Sequence, residues 1–390
     1  MAQYLRSVVR PAERLLKPLQ FPHKLLMGPG PSNCPPRVLA AQALPLLGHL
    51  HAEFCSVMDD VKAGARYAFQ TANAVTLAVS GTGHAAMEAA ICNIVEPGDV
   101  VLIAKNGHWG ARAADMAARH GADVRTIVVP PGEVFTLANI AAAMAEHAPS
   151  LTFVCHGESS AGTMQPLEGV GELCRARDCL LLVDTVASLG GAPFFADALG
   201  IDVVYTGAQK VIGAPPGVSP ISFSERAMAR VAARATRVRS YYFDVVELAN
   251  YWGCDAGPRR YHHTAPISSM YALREGLSML AEETLEVCWE RHLRCARLLW
   301  RGIEDLGLKL LVENEDARLP TVTAVVVPDG VAWKRVVEHC MSKHAVEISG
   351  GLGPTAGKVW RIGLMGYNAT EENVRRVLKV LQEAITACKM

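Results

Sequence analysis

Short apolar runs recur along residues 74–224, at 74–79, 100–104, 123–129, 151–155, 180–183, 201–205 and 219–224. Most are unbroken, with no polar residue at every second place, which is the mark of strands covered on both faces. Between them lie longer stretches of helical character, at 85–95, 111–120, 137–147 and through 172–177. Strand, loop and helix in regular alternation predict an α/β fold: a mostly parallel, seven-stranded sheet held between helices.

The flanks read differently. Residues 53–69 place Phe54, Val57, Met58, Val61, Ala65 and Ala68 on one helical face. Residues 35–47 read as a helix opened by proline, and 237–252 form an aromatic and basic stretch. Residues 268–301 form one long helical region, and the domain boundary is placed inside it. Beyond it, strands are expected at 308–312, 321–327 and 359–363, with helices at 331–344 and after Thr370. Thr370 caps the last helix, and Asn373 stands where a full capping box has Glu. Mixed strands and helices over about a hundred residues predict a small α+β domain. The chain thus divides into an arm across a partner subunit (1–24), a large domain (25–285) and a small C-terminal domain (286–390).

The chain has 390 residues, half of them hydrophobic and 19% charged, with 38 basic and 38 acidic side chains. A net charge of zero gives no general attraction to nucleic acid or to an anionic membrane. No apolar stretch reaches the roughly 18–20 residues of a membrane span without a Gly, Pro or charge breaking it. The 11 cysteines include no CxxC pair, and the closest spacings, Cys174/Cys179 and Cys288/Cys295, match no zinc pattern. They read as free, buried thiols of a reducing compartment. His262 and His263 would point opposite ways on an extended strand, so no metal is expected there. Arg6, Arg10 and Arg14, with Glu13 as the one acid nearby, suit either the partner-crossing arm or a weak mitochondrial presequence. Cys388-Lys389-Met390 resembles the small–basic–apolar peroxisomal signal. A peroxisomal location is therefore expected, with mitochondrial or cytosolic alternatives.

The candidate chemistry gathers at strand ends, where open α/β sheets keep their ligands. The run 180–183 stops at Asp184, and the run 201–205 stops at Thr206-Gly207-Ala208-Gln209-Lys210. An acid and an amine placed this way suit pyridoxal phosphate: the lysine forms a Schiff base, and the acid keeps the pyridine nitrogen protonated. The strand 74–79 runs into Ser80-Gly81-Thr82-Gly83-His84 and then a helix, an anion site suited to the cofactor's phosphate. Gly81, Gly83 and Ala86 also satisfy a dinucleotide fingerprint, but the next strand ends in Lys105-Asn106 rather than in the acid that fingerprint calls for. A nicotinamide-dependent dehydrogenase therefore stands as a remote alternative. Trp109, between Gly107 and Gly110, is placed to stack on a flat ring. Ser159 can donate to a phenolic oxygen or a phosphate, and Tyr261 and Thr264 are hydroxyl donors beside cationic residues. Gly28 opens a stiff GPGPSN loop whose backbone can lie against a small ligand. Arg361, on an apolar strand after a GGLGP turn, suits a carboxylate. A desulfurase on the same scaffold would need a mobile cysteine, and Cys254 is the candidate.

The motifs GPGPSN, SGTGH, NGHWG, HGESS, VDTVASLGG, YTGAQK, YHHT and GGLGP with the following RIG resemble the alanine–glyoxylate aminotransferases. These belong to the class V group within the fold-type I pyridoxal phosphate enzymes. The resemblance runs from about Leu25 to the final helix. It implies a large cofactor domain with a small C-terminal domain, and pyridoxal 5′-phosphate as cofactor. It implies Lys210 as the Schiff-base lysine, Asp184 against the pyridine nitrogen, Val186 on one ring face and Trp109 on the other. Ser159 falls beside the phenolic oxygen, and Thr82, Gly83, His84 and Gln209 hold the phosphate. Tyr261 and Thr264 reach the phosphate of the neighbouring subunit, which implies a homodimer with shared active sites. Arg361 takes the substrate carboxylate, with Gly28 and Ser159 nearby. The implied reaction moves the amino group of L-alanine to glyoxylate, with L-serine and pyruvate as a second pair of amino and 2-oxo acids. The related insect 3-hydroxykynurenine transaminases carry Ser-Asn-Phe where this chain has Gly48-His49-Leu50. Glyoxylate is therefore the expected acceptor, with 3-hydroxykynurenine transamination the alternative.

Overall fold

The computed structural model describes residues 8–389. Arg6 of the arm and Met390 of the terminal tripeptide lie outside the described residues. Besides a short antiparallel pair, Gly157–Glu158 with Thr163–Met164, the strands in chain order are β1 (Leu25–Leu26), β2 (Val75–Ser80), β3 (Val100–Lys105), β4 (Asp123–Val128), β5 (Leu151–Cys155), β6 (Leu180–Asp184), β7 (Val203–Tyr205), β8 (Val218–Phe223), β9 (Val322–Val326), β10 (Val346–Glu347), β11 (Ser349–Gly350) and β12 (Val359–Gly363).

Seven of these make one sheet, ordered β2-β8-β7-β6-β5-β3-β4. All neighbours are parallel except β8, which runs antiparallel to both β2 and β7. Strands β5, β6, β7 and β8 are buried at every position. That is why β5, β6 and β7 read as nearly continuous apolar runs rather than alternating ones, whereas β8 also buries Ser219 and Ser222. β4 lies at an edge and exposes Val128, which matches its more mixed composition. The helix Ala52–Phe69 buries Phe54, Met58, Val61, Ala65 and Ala68, as its periodicity predicts, with Val57 half-buried beside them.

A second, smaller sheet is antiparallel and ordered β9-β12-β11, and β1 pairs in parallel with β10 beside it. A separate apolar core gathers here around Trp300, Val325, Trp360, Ile362 and Leu381. Leu25 and Met27, expected to open the large domain, pack in this second core instead. The long helical region is two helices, Ile267–Glu283 and Leu285–Asp305, broken at Thr284 with φ 69° and ψ 151°. The second helix belongs to both cores: Leu285 and Cys288 face the large one, Cys295 and Leu299 the small one.

Other boundaries shift for local reasons. The helix expected over 35–47 spans only Pro36–Ala41, since Pro45 disfavours helical geometry at Leu44. The strand expected at 308–312 is reduced to one bridge, Leu310 to Val325. The helix expected from residue 111 starts at His108, which places Trp109 in its first turn. His262 and His263 are not on a strand; their Nδ1 atoms face each other at 2.8 Å. Among residues 8–24, Val8, Val9, Leu15, Leu16, Leu19 and Phe21 are all exposed. No helix among the described residues is long and apolar enough to cross a membrane. None of their His, Cys, Asp or Glu side chains cluster as a metal site.

Candidate active site

The C-terminal ends of β6 and β7 lie side by side, with Asp184 opposite Tyr205 in the parallel register. Asp184 is buried and each carboxylate oxygen is held. The Val186 N–H donates to Oδ1 at 2.8 Å and the Tyr205 hydroxyl to Oδ2 at 2.7 Å. Burial raises the Asp184 pKa to about 6, while those two donors and nearby Lys210 pull it the other way. Burial also lowers the Lys210 pKa, to about 8, assisted by the Arg361 charge and opposed by Asp184 and Glu347. The amine is therefore largely neutral only a little above physiological pH.

Lys210 sits in a loop tied to the GPGPSN segment. The Ser32 N–H donates to the Gln209 carbonyl and the Ser32 hydroxyl to the Lys210 carbonyl, both at 3.0 Å. The Lys210 amine donates to the Pro29 carbonyl. Gly30 lies directly over the lysine: a Cβ there would stand 2.4 Å from Nζ, and its φ of +100° favours glycine independently.

At the end of β2, the helix Gly83–Ile94 begins with Thr82 as its N-cap, and the Thr82 side chain makes no capping bond. Its hydroxyl and the first helical N–H groups are thereby left for an anion. Gln209 Oε1 is buried in the same cavity without a hydrogen-bond partner in the protein. His84 is kept toward its neutral form by burial and by the Arg112 charge.

The far wall is built by the loop after β5. The Trp109 indole N–H donates to Ser159 Oγ at 2.8 Å, and Glu158 Oε2 accepts from the Trp109 backbone N–H at 3.1 Å. The Glu158 carboxyl thus sits at the N-terminus of the helix His108–Arg119, and burial raises its pKa to about 7. Arg361, mid-strand in β12, is buried. Its Nε donates to the Gly350 carbonyl at 2.8 Å and its Nη1 to the Ser159 carbonyl at 3.3 Å. Arg361 also lines the cavity, with N–H groups beyond those two bonds still to be satisfied.

These residues enclose one cavity of about 380 Å³. Thr82, Gly83, His84, Trp109, Ser159, Asp184, Val186, Gln209, Lys210 and Arg361 all line it. Three expected residues do not line it. Gly28 packs against Ser349 and Glu347, and its neighbours Pro29 and Gly30 take the lining place. Tyr261 is 56% exposed and its hydroxyl lies 3.3 Å from Thr264 Oγ1, outside this cavity. Tyr205, Glu158, Ser349 and Leu352 were not singled out from sequence. Tyr205 ends the run 201–205, and only the register of the two strands sets it beside Asp184. Glu158 was readable as the one acid of the HGESS loop.

The dinucleotide alternative meets a topological obstacle. β2, the strand ahead of Gly81, Gly83 and Ala86, is at the sheet edge and pairs antiparallel with β8. A dinucleotide fingerprint needs a strand inside a parallel βαβ unit. Cys254, the candidate thiol of a desulfurase, is part-buried, its Sγ 3.7 Å from the Thr76 carbonyl, and burial raises its pKa.

The chain matches the aminotransferase class-V family over residues 26–377. It is 54% identical to an alanine–glyoxylate aminotransferase of the rabbit Oryctolagus cuniculus, covering 98% of this chain and 97% of that protein. A Drosophila melanogaster protein of the same name is 50% identical over 98% of this chain and 97% of its own length. Among solved structures, an alanine–glyoxylate aminotransferase from Nostoc superposes with a TM-score of 0.93 at 49% identity, covering 97% of this chain and all of that one. The ureidoglycine–glyoxylate aminotransferase of Bacillus subtilis superposes with a TM-score of 0.92 at 36% identity, with 95% of each chain covered. A cysteine desulfurase from Thermococcus onnurineus, at 14% identity and a TM-score of 0.72, shares the fold alone. An amine and an acid at paired strand ends, an anion cradle and a buried guanidinium in one cavity agree with what the likeness says: this chain belongs to the class-V aminotransferase family.

Proposed function

We propose that this chain transfers the amino group of L-alanine to glyoxylate, giving pyruvate and glycine, with pyridoxal 5′-phosphate as cofactor. The observation that carries this is the single cavity holding the Lys210 amine, the Asp184 carboxylate and the Arg361 guanidinium. The names of the rabbit, Drosophila and Nostoc relatives support the substrate pair.

The residues fit the cofactor. The uncapped Thr82 hydroxyl, the N–H groups of Gly83 and His84 and the orphaned Gln209 side chain would hold the phosphate. Asp184 would face the ring nitrogen, Trp109 and Val186 the ring faces, Ser159 the phenolic oxygen and Lys210 the aldehyde. When bound, pyridoxal phosphate supplies the aldehyde that captures an amino group and the protonated ring that takes up an electron pair.

The chain's own groups supply the rest. The free N–H groups of Arg361 clamp the substrate carboxylate, fixing the amino acid with its α-carbon toward Lys210. Lys210 Nζ, neutral once pH exceeds about 8, takes the α-proton and later returns it. Asp184 keeps its charge through the two donors it accepts from, and so favours a protonated partner at the ring nitrogen. Pro29 and Gly30 close over Lys210 and restrict water.

A homodimer with shared sites completes this picture. Tyr261 and Thr264 lie outside their own cavity, free to serve a neighbour's phosphate. The His49 ring lies 4.8 Å from that of Tyr261, so the triplet Gly48-His49-Leu50 travels with Tyr261 and would meet the substrate in the partner's site. The experiment is a borohydride trap. The purified protein should be yellow, lose its visible band on reduction and carry the label on Lys210. A colourless protein that takes up no pyridoxal phosphate overturns the proposal. A substrate panel should show a higher kcat/KM with glyoxylate than with pyruvate as acceptor, and with alanine than with 3-hydroxykynurenine as donor. Hybrids of Lys210→Ala and Tyr261→Ala/Thr264→Ala subunits test the shared site: they should regain activity that neither parent homodimer has.

A further inference from the structure

We propose that Tyr205 is a positioning residue of this site: its hydroxyl holds Asp184 ionised and aimed at the ring nitrogen of the bound cofactor. This rests on the pyridoxal phosphate reading above. β6 and β7 are parallel neighbours, and their register sets Asp184 beside Tyr205 at the two strand ends. Asp184 and Tyr205 are both buried, and the hydroxyl donates to Oδ2 at 2.7 Å. The other oxygen is held by a backbone N–H, which no side-chain change can tune. Tyr205 is thus the side-chain donor on which the carboxylate depends.

The surroundings show why such a donor is needed. A buried carboxylate without a partner takes up a proton. The titratable groups that face Asp184 give little help. Lys210 is the cation in its field, yet proton transfer requires that amine to be neutral. Glu158 adds a like charge. Cys155, opposite Asp184 on β5, stays a neutral thiol because burial holds its pKa well up. Before the cofactor arrives and whenever Lys210 is uncharged, the charge at Asp184 is sustained by one main-chain N–H and one phenol. The phenol is itself locked against ionisation, because burial and Asp184 push its pKa far upward. It therefore remains a donor at any working pH.

Tyr205→Phe keeps the ring in the core and removes only the hydroxyl. Wild type and variant, both loaded with pyridoxal phosphate, are dialysed over a pH series, and retained cofactor is read from visible absorbance and circular dichroism. The variant should hold the cofactor about tenfold to a hundredfold less tightly at pH 8, as expected for a lost hydrogen bond to a charged group. Its acid limb of cofactor loss should move to higher pH by about one unit or more. A purely structural Tyr205 would not move that limb. Superimposable retention curves overturn the proposal. In an Asp184→Asn background, Tyr205→Phe should cost little more, and fully additive losses would also overturn it. If Tyr205→Phe does not fold, the wild type carries the test. An exchange-protected tyrosine hydroxyl proton that disappears in Asp184→Asn supports the bond, and its absence in wild type overturns it. A wild type that binds no pyridoxal phosphate at all refutes the site assignment itself, a different result from unchanged curves.

Discussion

Replacing Arg361 by lysine tests the carboxylate recognition proposed for it apart from the rest of the site. The guanidinium is anchored by the Gly350 and Ser159 carbonyls, at 2.8 and 3.3 Å, and lines the cavity. Two parallel hydrogen bonds from a cation to a carboxylate are together worth about 3–6 kcal/mol. A lysine ammonium is a point charge that recovers roughly half, leaving a loss of about 2–3 kcal/mol. That corresponds to a drop of about 30- to 150-fold in kcat/KM for alanine. The control is ethylamine, which is alanine without its carboxylate. Single-turnover rates of amine consumption, followed in the cofactor's visible band, should show the variant close to wild type on ethylamine and far slower on alanine. If Arg361→Lys keeps the wild-type preference for alanine over ethylamine, Arg361 does not bind the carboxylate.

Further outcomes follow from the same geometry. Uptake of added pyridoxal phosphate by the cofactor-free protein should slow on the acid side of about pH 8, because the Lys210 amine must lose its proton to attack the aldehyde and burial sets its pKa there. In Arg361→Met that limb should move to higher pH, since removing a neighbouring cation lets the lysine hold its proton longer; a pH–rate profile reads both. Gly363→Ala would place a Cβ 1.9 Å from the Gly28 carbonyl oxygen, backbone that cannot step aside. We expect a loss above about 3 kcal/mol or no folded protein, and a wild-type melting curve would contradict the close approach. Trp109→Phe removes the 2.8 Å bond to Ser159, so cofactor retention should weaken by roughly twofold to tenfold.

The large sheet was legible because its central strands are buried on both faces, which leaves runs such as 151–155 and 180–183 unmistakably apolar. The motifs at strand ends then located most of the cavity, since local loops carry Thr82, Trp109, Ser159, Asp184 and Lys210. What escaped is what depends on distant chain segments. Tyr205 reads as one more core residue until the β6–β7 register sets it beside Asp184. Pro29 and Gly30 displace Gly28 from the cavity because Gly363 pins the backbone of Met27 through a 2.8 Å hydrogen bond. The helix break at Thr284 left no mark in the apolar pattern, which continues across it. Likewise 308–312 looks like a strand by composition but finds only a single bridge.

The segment from Leu25 to Ser32 is anchored at both ends to different bodies. Its first residues form β1 against β10 beside the small sheet, and Met27 is tied to Gly363 of that sheet. Its last, Ser32, is tied to the backbone of Gln209 and Lys210 in the large domain. It acts as a tether, and the Lys210 amine donates to the middle of it at Pro29. Any rocking of the small domain must pull on the lysine's own roof. A protein cut back to begin at Ser32 would keep every side chain that lines the large-domain half of the cavity. It would lose the mechanical line by which the other half is felt there.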